Sequence, residues 1–256
     1  AVQFYGTQPT EIVFQPQTKE ELQTAVDLWV DDNGTALTTY GEINSWDVSL
    51  ITDMSNIFYD KTTFNDDLNN WDVSNVTNMY TMFHGATIFN GDISNWDVSN
   101  VTSMHMMFYN TQNFNSDISA WDVSNVTDMH RMFHNATNFT SDLNQWNVSN
   151  VVNFHETFAS AENFNGNITG WNINETGSVT MWSMFRGAIL FNQDLSGWNV
   201  SNVTSFSRIF ENTNALSREN LCSIHTAWSS NTNWPNTWEE SCLVLPEDIY
   251  GSAQLV

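Results

Sequence analysis

Asp47, Asp72, Asp97 and Asp122 recur every 25 residues, each directly after a tryptophan. In stacked copies such residues lie one above another. Carboxylates about 4.8 Å apart, the spacing of neighbouring strands, repel by roughly 1 kcal/mol in water and 3–4 kcal/mol at an effective dielectric of 20. Compensation can come from Ser49, Ser74, Ser99 and Ser124 two residues on, from backbone N–H groups, or from a cation such as Ca²⁺, which takes several oxygen ligands. A carboxylate that caps its own turn is the plainer reading, because a residue repeated in every copy usually serves the fold. A second acidic column, Asp67, Asp92, Asp117, Asp142 and Asp194, reads as turn formers first and cation ligands second.

Imidazoles offer different chemistry. Tyr80, His105, His130 and His155 share one position of the repeat, while Tyr59, His84, Tyr109 and His134 share the position four residues later. In the fourth copy both are histidines, and His130 with His134 at i, i+4 can share a helix face and pinch a metal. No repeated third ligand lies nearby, so partly exposed surface histidines are the competing reading. Five of the six histidines fall in this stripe, which keeps it as a place for recognition or pH sensing. No Ser, His and Asp set stands apart from the repeat and no Gly-rich phosphate loop follows a strand, so a non-enzyme is expected.

The elements that position these columns follow from a tandem array. Trp46, Trp71, Trp96, Trp121, Trp146 and Trp171 stand 25 residues apart, and Trp198 follows after 27. A period of this length means one supersecondary unit stacked on copies of itself. Within a copy, Trp71 and Val73 alternate with Asp72 and Ser74, which predicts a short strand. Val76, Met79, Met82, Phe83 and Ala86 follow at spacings of three and four, which predicts one helix face with Ser74 or Thr77 as N-cap. Phe89-Asn90 marks the return loop. Phe64, Phe89, Phe114, Phe139, Phe164 and Phe191 are expected to form an internal spine, with Asn65, Asn90, Asn115, Asn165 and Asn192 satisfying loop backbone.

Residues 1–45 read as an N-terminal helical cap, with Thr18 and Glu21 as a capping box and Leu22, Ala25, Val26 and Trp29 on one helix face until Asn33-Gly34. Seven repeats of 25 to 27 residues occupy 46–216. Residues 217–256 form a C-terminal cap with a helix from Ser217, closed by Trp234 and Trp238 and pinned by a Cys222–Cys242 disulfide, while the tail beyond Pro246 is expected to be loose. Strands spaced more closely than helices make such a stack curve. The expected fold is therefore an α/β solenoid, a curved right-handed array with short parallel strands on the concave face and helices on the convex face.

The frame Ile93-x-x-Trp96-x-Val98-x-x-Val101 resembles the leucine-rich repeat. More specifically, Trp-Asp-Val-Ser-Asn-Val-Thr with Met-Phe-x-x-Ala-x-x-Phe-Asn-x-Asp-Ile resembles the BspA-like surface-protein repeat, the DUF285 family, over about two thirds of the chain. The resemblance implies a secreted or cell-surface protein acting in adhesion or recognition, and it supplies no catalytic residue. Later copies depart from the pattern: Asn147, Asn172 and Asn199 replace Asp, Phe154 replaces Met, and extra residues surround Glu175-Thr176-Gly177.

Charge narrows the partners. Against 29 acids stand 6 bases, a net charge of −23 over 256 residues, which argues against nucleic acid or an anionic membrane surface. No run of 18 apolar residues predicts a membrane span, and a chain beginning at Ala1 fits a mature secreted form. A protein or glycan ligand is expected on a strip of Asp47, Asp72, Asp97, Asp122, Ser74, Ser99 and Ser124, edged by Asn70, Asn95 and Gln145. The alternatives are a Ca²⁺-binding structural solenoid, Ca²⁺ being the one cofactor entertained, and an ice-binding solenoid suggested by Thr52, Thr77, Thr102 and Thr127.

Overall fold

A computed structural model describes residues 13–235 and Cys242. Helix α1, Lys19–Asp31, starts where Thr18 accepts from the Glu21 N–H, and the Glu21 carboxylate accepts from the Gln17 N–H. A second helix, α2, Asn33–Tyr40, begins where a single N-terminal helix was expected to stop. Asp32 explains it: its carboxylate accepts from both the amide and the hydroxyl of Thr35, giving the new helix a strong N-cap. Phe14, Trp29 and Tyr40 close around Trp46, covering the first copy's end.

The repeated tryptophans are buried, and successive indoles stack at 5.8–6.3 Å where pairs meet ring to ring. Each indole N–H must find a partner inside the core. Trp71 donates to the Ile43 carbonyl at 2.8 Å, Trp96 to Leu68 at 2.8 Å, and Trp121 to Ile93 at 3.2 Å. This bond reaches into the preceding copy, so tryptophan both fills the core and locks the register. The expected phenylalanine spine is present at 5.7–6.1 Å spacing, beside a second one through Phe58, Phe83, Phe108, Phe133, Phe158, Phe185 and Phe210. Asn65 and Asn90 accept from the Asn90 and Asn115 amides in the next copy.

The helix expected over Val76–Ala86 is not formed, and among the described residues no helix lies between Trp46 and Leu216. The backbone accounting gives the reason. The N–H groups of Met79, Thr81, Phe83 and Gly85 donate to carbonyls of Ser103, His105, Met107 and Tyr109 in the next copy, while those of Met82, His84 and Ala86 close turns on Met79, Thr81 and Phe83. Tyr80's N–H goes to the Asn78 side chain at 3.1 Å. From Met79 to Ala86 every donor is used without an i−4 bond, because a parallel copy supplies many of the acceptors. Returns to the core every three or four residues then come from successive turns, which mimic helical spacing.

Such turns require left-handed residues. One column, Asn56, Thr81, Met106, Arg131, Glu156, Ser183 and Arg208, has φ of 51–65°, and a second runs through Asp60, Gly85, Asn110, Asn135, Ser160, Gly187 and Asn212. Gly, Asn and Asp suit the second column, whereas Thr, Met, Arg and Glu in the first cost about 1–2 kcal/mol each. Stacking outweighs that cost.

The strand expected at Trp71–Ser74 is also absent, because the Asp72 side chain takes the Ser74 N–H and folds the chain into a turn. Parallel pairing falls later, as bridges from Asp53 to Asn78, Ser103, Asp128, Asn153 and Thr180, and as strands β1, Val179–Thr180, and β2, Val203–Ser205. Their register shifts between Val179 and Thr180, in the copy carrying extra residues, where Asn174 accepts from the Thr176 and Gly177 amides. Helix α3, Arg218–Trp228, is capped by Ser217. Trp228 stacks on Trp198 at 6.1 Å, and Asn231 donates to the Val200 and Val203 carbonyls that no further copy would cover. Cys222 and Cys242 are disulfide-bonded, with Cα atoms 5.2 Å apart. Trp238 and the tail beyond Pro246 lie outside the described residues. Among the described residues no helix is long and apolar enough to cross a membrane.

Candidate functional site

The turn segment hangs two ring columns on its inter-copy ladder. Tyr80 and His84 each precede a left-handed residue, whose N–H reaches the carbonyl of the matching ring residue in the next copy, Thr81 to His105 at 2.9 Å and Gly85 to Tyr109 at 2.8 Å. The rings therefore stack in register. Tyr59, His84, Tyr109 and His134 follow one another at centroid separations of 4.6, 4.6 and 4.8 Å. Tyr80, His105, His130, His155 and Trp182 do so at 4.9, 4.5, 4.4 and 4.2 Å, two of these contacts being edge-on.

Charged groups gather where the copies depart from their pattern. Glu156 is buried at 4 % exposure. Its Oε2 pairs with Arg131 Nε and lies 3.4 Å from His134 Nδ1, while Oε1 lies 3.8 Å from His155 Nε2. In the preceding copy Asp128 meets His105 Nδ1 at 3.1 Å and accepts the His130 N–H at 2.9 Å. Burial raises both carboxyls, but the bond and charge of Arg131 hold Glu156 below its ordinary value, and bonds from His105 and His130 do the same for Asp128. Burial, reinforced by His105, His155 and Arg131, pushes His130 down to about 4. His134 and His155 are lowered as well, burial outweighing the pull of a Glu156 charge already shared with Arg131. At neutral pH His130, His134 and His155 are neutral around the ionised, anchored carboxylate of Glu156.

One ligand atom from each of His130, His155 and Glu156 lies within 4.8 Å of the other two. That group differs from the predicted pinch of His130 with His134. With no helix to set them a turn apart, His130 stacks on His155 and His134 stacks on Tyr109 and approaches Glu156. Sequence reasoning missed Glu156 and Arg131. They occupy one repeat position otherwise held by Asn56, Thr81, Met106, Ser183 and Arg208, and opposite charges in adjacent copies of a mostly uncharged column mark them.

The acidic column is differently placed. Asp72, Asp97 and Asp122 are exposed, and Oδ1 of each accepts the N–H of Ser74, Ser99 or Ser124 at 3.0 Å. Asp47 accepts from the Ser49 amide and hydroxyl and from Gln15. The Ser49 and Ser124 hydroxyls and amides hold Asp47 and Asp122 below the usual carboxylate range. Ser74, Ser99 and Ser124 are half-buried, and exposed Asn95 donates its N–H to Asn69 Oδ1 at 2.8 Å. Asn75, Asn100 and Asn125 donate side-chain amides to the Ser49, Ser74 and Ser99 carbonyls at 2.7–2.9 Å.

Near-identical copies joined by backbone, indole and amide bonds define a tandem-repeat protein. Segments 31–144, 93–181 and 137–234 match the family described as Mycoplasma protein of unknown function, DUF285. The chain belongs to this family. No curated protein and no solved structure matches it.

Proposed function

We propose that this chain is a non-catalytic recognition module of the BspA-like, leucine-rich-repeat kind, a solenoid working outside the cell or on its surface and binding a protein or glycan through its repeat face. The observation that carries the reading is the pair of register-stacked ring columns. They offer partly exposed aromatic surface at fixed intervals, with Tyr59 and Tyr80 44 % and 41 % exposed. Rigid aromatic side chains give large contact area at low entropic cost and dominate binding hot spots. The acidic strip supplies a weaker set of contacts, since Asp72, Asp97 and Asp122 commit one carboxylate oxygen to their own turns and leave the other for a ligand. The Cys222–Cys242 bond supports an oxidising compartment.

The test is a glycan and surface-protein array probed with wild type and with a Tyr59→Ala, Tyr80→Ala double variant. Binding by wild type that the variant loses, with its melting curve unchanged, supports the proposal. A blank array together with hydrolase or transferase activity would overturn it.

A further inference from the structure

We propose that His130, His155 and Glu156 form a binding site for a divalent first-row transition cation of the Zn²⁺ class. The site is independent of whether the ring columns engage a macromolecule. Its three ligand atoms already lie within 4.8 Å of one another. In a tetrahedral zinc centre with bonds of 2.0–2.1 Å, ligand atoms stand about 3.3 Å apart, so the stacked rings of His130 and His155 must tilt toward one another to close on an ion.

Buried nitrogens without a hydrogen bond, His134 Nδ1 among them, gather around Glu156 and point to a missing partner. The Nε2 atoms of His130 and His155 are sealed from solvent and lack a hydrogen bond among the described residues. Buried polar atoms in native structures nearly always have a partner. Imidazole nitrogens suit Zn²⁺, Ni²⁺ or Cu²⁺ and not Ca²⁺ or Mg²⁺, which prefer oxygen.

Glu156 is built as a ligand rather than as a simple ion-pair partner. Arg131 takes Oε2, which leaves Oε1 turned toward His155 Nε2. Outer partners of this kind orient metal-binding groups. His134, on the Oε2 side with Arg131 and outside the group of three mutually close ligand atoms, is assigned a positioning role. Two histidines and one glutamate leave a coordination position for water or an atom of a bound ligand.

The experiment is titration of the untagged 256-residue chain with ZnCl₂ by calorimetry and with Co²⁺ by visible absorption. Wild type should saturate at a single equivalent and show intense tetrahedral Co²⁺ bands. His130→Asn and His155→Asn should each weaken binding by at least the roughly 10–100-fold lost when an outer partner is removed. His225→Asn should bind as wild type, its ring serving the C-terminal cap by accepting from the Trp234 indole. If a ligand variant fails to fold, ¹⁵N spectra of wild-type imidazoles still decide: Zn²⁺ must move the Nε2 signals of His130 and His155 and leave those of His84 in place. No saturable binding, affinity undiminished in either folded histidine variant, or Nε2 signals unmoved by Zn²⁺ would overturn the site.

Discussion

Two sets of acids in this molecule sit in opposite circumstances. Asp72, Asp97 and Asp122 recur in near-identical copies, lie exposed, and each accepts its own turn's amide. Glu156 occurs once in its column, is buried, and gathers Arg131, His134 and His155 around it. The contrast teaches how to read a repeat. A residue that every copy carries answers a need that every copy has, such as closing a turn, whereas chemistry collects where one copy breaks the column.

The largest expected effect is at Glu156. Glu156→Gln should cost about 1–3 kcal/mol in metal-free protein, because Arg131 loses its ionised partner in a buried setting, measured by urea unfolding. A loss no larger than that at an exposed Asp would erase the distinction. Next in size, Asp97→Ala should cost about 0.5–2 kcal/mol, the usual worth of a side-chain cap on free amides. Asp97→Asn should stay within about 0.5 kcal/mol of wild type, as expected of a harmless surface change, since Asn147 and Asn199 make the same bond to Ser149 and Ser201. Equal losses for Ala and Asn would mean the charge, and not the turn, is what matters.

How legible these features were depends on what the spacing reports. The tryptophan interval, the Phe64 and Asn65 columns, the Thr18 cap and the pairing of Cys222 with Cys242 could all be read, because each expresses a bond or contact repeated in kind. The helix could not. Apolar returns at three and four residues arise equally from consecutive turns, and left-handed Thr81, Met106 and Arg131 are not types that announce such a backbone. Helix α2 was hidden because Asn33-Gly34 looks like a stop, while Asp32 makes it a start. Glu156 was obscured because a column search rewards constancy.

Acid should separate the two sets more gently. Burial lowers His84, so folding favours its neutral ring; that stability is complete above the unfolded value of about 6.5 and erodes as pH falls below it. The bonds of Ser124 lower Asp122, so its contribution is complete above about 3.9 and is lost only as pH falls further, through the folded value. Melting temperature in chelator should therefore begin to drop near pH 6.5 and steepen below pH 4, about the two unfolded values. His84→Asn should make the upper part shallower without abolishing it, because His130, His134 and His155 are lowered too. A curve level down to pH 4 would count against buried neutral rings.

The most direct test of the division between fold acids and site residues is a pair of melting curves at fixed ionic strength, one with Ca²⁺ and one with Zn²⁺. Zn²⁺ at a hundred times its dissociation constant should raise the melting temperature by roughly 5–10 °C through mass action, and Ca²⁺ should leave it unchanged because the Asp column is satisfied by its own turns. A rise with Ca²⁺ that Asp97→Asn diminishes, with none from Zn²⁺, would contradict both halves.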